Sequence, residues 1–480
     1  MVTDVALIRE AIVQALPFDV AEHGELLDAG ALYVPPAHLK ALRLECSLVV
    51  GARGVGKSFW TQALASAELR SMLGQSIREL DRTDVYTGFA EMGAIAHYPD
   101  AESFARLLTE GHSAFNVWRA VVLRWLAEER EDGADIPRTR WADTVAWVRD
   151  HPEDVALLMQ QASQRQVACN RWGLIVFDAL DRTSADWATM DSIVRDLLKV
   201  ALWLKAYPRL QAKIFLREDQ FHRPVTDFPD ASKLLTTKAD LTWATHDLHG
   251  LLWQLLINAP GIHGEHLRHQ YQKVLGTLPI LSGAVWQLPE AVKRDTPAQR
   301  ALFEALAGPW MGRDKRRGVP YVWSVSHLAD GRGQTSPRSF LAAIRHAAED
   351  SQDRYPDHAV ALHYESIKRG IQRASEIRVA EVAEDYPWVR LFLQKLHGFN
   401  VPCEFERILK KWDEVFPQGP AAASQQRLPP QHLERGWNGI RDDLNRLGVF
   451  DLKQDGRIDM PDLYRVGFGL GRNGGVKPKT

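Results

Sequence analysis

The segment that most limits what this chain can fold into is Leu48-Val49-Val50-Gly51-Ala52-Arg53-Gly54-Val55-Gly56-Lys57-Ser58-Phe59-Trp60. The apolar run Cys46 to Val50 predicts a short buried strand, and a helix is expected from near Lys57, carried by Phe59, Leu64 and Leu69. Between them stands G-x-x-x-x-G-K-S, the pattern of a phosphate-binding loop. Glycines let the backbone turn tightly enough for several N–H groups to face one anion. The following helix adds its unpaired N-terminal N–H groups and the positive end of its dipole. Gly51, Ala52, Arg53, Gly54, Val55, Gly56, Lys57, Ser58 and Phe59 are therefore the expected cradle of a nucleotide. In this pattern the lysine, Lys57, reaches the β- and γ-phosphates and the hydroxyl of Ser58 holds Mg²⁺.

The rest of the composition narrows the setting. A chain of 480 residues can build a large core and has room for two or three domains. Its formal net charge of −2 excludes a whole-molecule positive field, so any nucleic-acid contact has to be local. Cys46, Cys169 and Cys403 lie far apart without CxxC spacing, which argues against a disulfide framework and for a reducing compartment. The first residues lack the layout of a signal peptide. No apolar run approaches the roughly 20 residues that span a bilayer. A soluble, cytoplasmic protein with no membrane partner is the expectation.

A second stretch supplies a carboxylate. Leu174-Ile175-Val176-Phe177 reads as a buried strand that delivers Asp178 at its C-terminal end, where open α/β sheets place ligands. Such an Asp holds Mg²⁺ together with the Ser of the loop. The chain continues Ala179-Leu180-Asp181-Arg182-Thr183. With its glycine-rich loop and this D-x-L-D-R, it resembles P-loop ATPases of the additional-strand class, the group that includes AAA+, STAND and KAP-type NTPases. The resemblance implies ATP and Mg²⁺ as cofactors and hydrolysis of ATP to ADP and phosphate. The common AAA+ pattern has Glu directly after the Asp, where this chain has Ala179. Either Asp181 aligns the water, or hydrolysis is slow and the protein works as a switch; Asp181 could equally cap the following helix. Arg182 either contacts phosphate or pairs with Asp181 or Asp178.

By the same resemblance, the strand Lys213-Ile214-Phe215-Leu216 lies beside the loop strand, and Arg217 at its end senses the γ-phosphate; the alternative is a surface arginine. Thr335-Ser336-Pro337-Arg338 opens a helix with Ser and Pro in capping positions. A Pro-Arg there is similar to the sensor-2 arginine of AAA+ and STAND-like proteins, which implies that Arg338 couples the γ-phosphate to a lid. Tyr33, just upstream of the loop strand, either stacks on adenine or packs. Three histidines, His263, His266 and His269, have helical spacing, but no Cys or second carboxylate cluster completes a metal site.

The fold class expected is α/β, a P-loop NTPase parallel sheet with helices on both faces, a helical lid and a C-terminal winged-helix-like module. The divisions expected are 1–35, an N-terminal helical segment; 36–260, the ATPase core with a helical insertion at about 96–168; 261–415, a helical lid and helical region; and 430–480. A Pro/Ala/Gln-rich linker spans 416–430. Beyond it a helix over about 431–447 precedes Lys453-Gln454-Asp455-Gly456 between two short apolar runs, which predicts a hairpin. From Tyr464 onward Arg465, Arg472, Lys477 and Lys479 stand without an acid, and such a tail can hold a phosphate backbone. Two functions follow as expectations. One is an ATPase acting on double-stranded DNA or a DNA-bound complex, as in phage-defence or mobile-element systems. The other is a STAND-like switch that forms a homo-oligomer with ATP and activates a separate partner protein.

Overall fold

The computed structural model describes residues 5–16, 28–91, 94–128, 136–221, 223–472 and 476–478. They form two compact units, Val34–Thr242 and a second built from Met1–Tyr33 together with Trp243–Thr480.

The Val34–Thr242 unit is organised by five strands: β1 (Leu48–Gly51), β2 (Thr83–Phe89), β3 (Trp172–Phe177), β4 (Leu210–Arg217) and β5 (Ala239–Asp240). Their order is β2-β3-β4-β1-β5 and every pairing is parallel. β1 and β3 are apolar without alternation and almost wholly buried, as strands covered on both faces must be. The helix predicted after the loop is Lys57–Ala65. It stops short of Leu69 because Ser66 turns out of the helix and accepts the Leu69 N–H, starting a second helix, Ala67–Gly74.

The segment between β2 and β3 folds into helices Ala101–Thr109, Ala114–Glu128, Trp141–Asp150 and Pro152–Ala168. Helix Ala114–Glu128 is more than an appendage to the sheet. Its Trp118 ring lies edge-on to Phe177 of β3 at 5.5 Å and donates its indole N–H to Ile193 O at 3.0 Å.

Two buried polar side chains tie the start of this unit to its core. Lys213, in the middle of β4, is wholly buried and donates to the carbonyl oxygens of Ala41, Arg43 and Cys46 at 2.6, 2.9 and 2.7 Å. His38 accepts the Trp60 indole N–H on Nδ1 at 3.1 Å, which leaves Nε2–H to donate to Thr242 O at 3.1 Å.

In the other unit, helix Val5–Ala15 packs against helices Gly261–Leu275 and Pro337–Arg354. Its buried Arg9 donates to the carbonyls of Pro356 (2.7 Å), Ala361 (2.9 Å), Val360 (3.1 Å) and His358 (3.2 Å). Tyr33 is buried with its hydroxyl 3.3 Å from Asp247 Oδ1. Its ring packs so closely on Gly250 that a Cβ there would fall 2.4 Å from the hydroxyl oxygen. The packing alternative therefore describes Tyr33. A hairpin of β6 (Ile280–Ser282) and β7 (Val285–Gln287) follows.

Residues 416–430 are not an open linker. Gly419–Ala423 forms a 3₁₀ turn with Ala423 buried, and Leu428 is buried with its carbonyl receiving the Trp388 indole N–H at 3.1 Å. Apolar residues inside the Pro/Gln-rich stretch account for the difference. The hairpin predicted beyond it is present as β8 (Asp451–Leu452) and β9 (Ile458–Asp459), preceded by helix Gly436–Arg446. Among the described residues no helix is long and apolar enough to cross a membrane.

Each unit hides a histidine that stays neutral. Burial pulls His38 down to about 4, and burial pulls His249, stacked on Tyr321, down to about 3. The unfolded chain takes up these protons near pH 6.5 and the folded chain does not. The stabilisation is complete above that pH and is lost as pH falls towards 4, at about 1.4 kcal/mol per pH unit for each group. The urea midpoint is expected to drop between pH 7 and pH 5, with a shallower drop in His38→Gln. Equal midpoints at the two pH values would contradict the neutral assignment.

Candidate nucleotide site

A parallel sheet brings all its strand C-termini to one edge, and the motifs meet there. Gly51 ends β1, Asp178 follows Phe177 of β3, and Arg217 ends β4 opposite Gly51 in the register. Gly51 is required by space: a Cβ would fall 2.7 Å from Val55 Cγ2 and 3.1 Å from Leu241 Cβ. Gly56 is required by conformation, since it starts the helix at φ 101°, ψ 23°. No side chain caps the helix at this position, so its leading N–H groups are suited to an anion.

Lys57 folds back over the loop and donates to Gly51 O at 3.0 Å and Ala52 O at 2.9 Å. The side chain keeps some solvent exposure, yet the protein crowded around its ammonium pulls it down to about 8, against the attraction of Asp178. Asp178 is 5% exposed, and burial pushes its carboxyl up; Lys57, the Ser58 hydroxyl and the Ala179 N–H pull the other way. The Ser58 hydroxyl lies close enough to Asp178 to favour its charged form. Two hard oxygen donors therefore sit side by side beside the loop, a donor set that suits Mg²⁺.

Ala179 adopts a left-handed conformation, φ 55°, ψ 32°, which is uncommon for a residue with a Cβ. It turns the chain sharply into the 3₁₀ turn Leu180–Arg182. The following helix, Trp187–Leu204, is capped by Asp186, whose carboxylate accepts the Thr189 N–H. Asp181 is thus not that cap. Its carboxylate lies 3.5 Å from Arg217 Nη1. Arg217 is not a surface arginine, with its side chain 12% exposed. Arg182 pairs with neither neighbouring aspartate in this arrangement but donates to Glu91 at 2.6 Å.

Two participants carry no signal of periodicity. Asp219 Oδ1 accepts from Arg217 Nε at 3.1 Å, and Gln220 Oε1 accepts the Arg217 N–H at 3.1 Å. The only hint was an acid two residues after the arginine, the reach of a tight turn. Arg338 belongs to the other unit, at the N-terminus of helix Pro337–Arg354, with Ser336 as the cap expected. There it donates to Glu381 Oε1 at 2.8 Å, and the second oxygen of Glu381 takes Arg378 Nη1 at 3.2 Å.

The sheet, its strand order and this loop make the fold that of a P-loop NTPase. No family model and no curated protein matches the chain. Among solved structures, the Aeropyrum pernix ORC2 protein in its ADPNP-ADP complexes is similar over 87% of this chain and 84% of that one, at 12% identity and a TM-score of 0.35. The ADP form of the same protein is similar over 89% and 90%, at 12% identity and a TM-score of 0.28.

Proposed function

We propose that the chain binds ATP with Mg²⁺ and hydrolyses it. The observation that supports this best is the meeting of the loop, Lys57, Asp178, Asp181 and Arg217 at the carboxyl ends of β1, β3 and β4. The backbone of Gly51 to Phe59 and the Lys57 ammonium bind the phosphates. Ser58 and Asp178 hold Mg²⁺, which neutralises charge on the phosphate oxygens when bound. Asp181 aligns the attacking water and Arg217 faces the γ-phosphate. Phosphoryl transfer asks the protein for little beyond positioning and charge stabilisation. With β4 between β1 and β3, we assign the chain to the additional-strand class, with Arg338 as the lid's sensor of the γ-phosphate.

For the output of the cycle we favour a switch that forms a homo-oligomer with ATP and acts on a partner protein, through a winged-helix-like module at 430–480. Several of the module's cations are already matched, although Lys477 is exposed. Arg465 is wholly buried on Asp462 and Leu470 O, and Arg472 is held by Asp459 and Asp462. In helix Gly436–Arg446, Arg441 pairs with Asp442 and Arg446 with Asp443. Lys479 of the basic tail lies outside the described residues. Action on double-stranded DNA, as in phage defence, is the second reading, favoured by the exposed basic turn Lys315–Arg317.

Phosphate release from Mg²⁺-ATP, followed with and without double-stranded DNA at low and high salt, tests both. We expect slow turnover indifferent to DNA and a rise in molecular mass with ATP. Stimulation by DNA that fades steeply with salt would replace the switch by the DNA reading. No turnover and no nucleotide binding would overturn the site.

A further inference from the structure

We propose that Asp219 is a positioning residue for ATP hydrolysis: its carboxylate holds the Arg217 guanidinium by the Nε edge and thereby limits how far that guanidinium can engage Asp181. This inference rests on the reading of the cleft as the hydrolytic site.

Arg217 bridges two carboxylates unequally. Its Nε bond to Asp219 measures 3.1 Å, while Nη1 stands 3.5 Å from Asp181. Asp219 is itself firmly placed. It is 8% exposed and sits in a turn closed by the Gln220 N–H on Arg217 O at 3.1 Å. Gln220 returns the bond through Oε1 to the Arg217 N–H and is anchored by its amide on Met190 Sδ at 3.2 Å. Asp181 lies instead in a short turn that follows the left-handed Ala179.

A guanidinium presents a planar fork of donors, and a carboxylate on one edge dictates where the others point. With Nε held by Asp219, the plane and tilt of the Arg217 guanidinium are set, and Nη1 meets Asp181 only at the long distance of 3.5 Å. A γ-phosphate facing Arg217 competes for that nitrogen with stronger charge, so Asp181 is released to a water when the triphosphate is in place. Without the Asp219 carboxylate, Arg217 is free to form a two-point pair with Asp181, which occupies the oxygens the water needs.

The test compares wild type, Asp219→Asn, Arg217→Gln and the double variant, reading kcat, KM for ATP and the affinity for a fluorescent ATP analogue. Asp219→Asn is expected to lower kcat by about 10- to 100-fold with little change in KM or analogue affinity. Because Asp219 acts through Arg217, adding Asp219→Asn to Arg217→Gln should lower kcat no further. Losses that multiply, or a wild-type kcat in Asp219→Asn, would overturn the proposal. Should Asp219→Asn fail to fold, Asp219→Glu keeps the charge and moves it by one methylene, and an unaltered kcat in that variant would be equally fatal. Wild-type protein that turns over no faster than Lys57→Ala would instead mark failure of the hydrolytic reading itself.

Discussion

Replacing Lys57 by alanine is expected to lower ATP turnover by at least about a hundredfold, the scale seen when a fixed group aimed at developing charge is removed. The ammonium stands over the loop on Gly51 O and Ala52 O, beside Asp178. A triphosphate would draw it off those carbonyls, and the alanine variant has no charge to offer in its place. The variant also loses both loop contacts, but they lie at a partly exposed side chain and are worth only about 1 kcal/mol each. The nucleotide effect should therefore dominate any effect on folding. Phosphate release at saturating Mg²⁺-ATP, read beside a melting curve, separates the two. Unchanged turnover in a folded Lys57→Ala protein would remove the loop from the mechanism.

Lys213→Met should destabilise the Val34–Thr242 unit by about 3–5 kcal/mol. Two effects oppose each other there. The lysine is wholly buried, and burial pulls its ammonium down to about 8, so removing the charge relieves a desolvation cost. Against that, the carbonyls of Ala41, Arg43 and Cys46 lose their shared donor at the end of helix Pro36–Leu42. Arg43 O keeps the Cys46 N–H at 3.1 Å, but the Ala41 and Cys46 carbonyls are orphaned at about 1–3 kcal/mol each, and methionine fills the space without supplying a donor. Orphaning should win. A urea midpoint equal to wild type would show that the carbonyls find another partner.

How much of this was readable in the residues depended on distance along the chain. β1, the loop and its helix occupy Leu48–Ala65, and their glycines, lysine and apolar run form one local pattern. Asp178 was equally plain, since four apolar residues ending in a carboxylate describe a buried parallel strand. Contacts that join distant segments left no such trace. The pairing of Arg182 with Glu91 spans 91 residues, and nothing in either neighbourhood marks it. Trp388 reaching Leu428 made a packed segment of what composition describes as a linker. In the basic tail, Asp459 and Asp462 meet Arg465 and Arg472 through a turn that charge counting along the chain passes over. Asp219 was hidden differently, beside its partner but in a turn too short to have a period.

The threading of the chain has a consequence for how the protein is made. Arg9 closes on carbonyls as far away as Ala361, 352 residues downstream. At ribosomal speeds that interval lasts roughly 20 to 70 s. The Val34–Thr242 unit is complete in the nascent chain well before helix Val5–Ala15 meets its partners. Until helix Gly261–Leu275 is made, Ile8, Ala11 and Ile12, buried in the finished protein, lack that native helix of the second unit to cover them. Biogenesis thus holds an early apolar helix in suspense while the Val34–Thr242 unit matures.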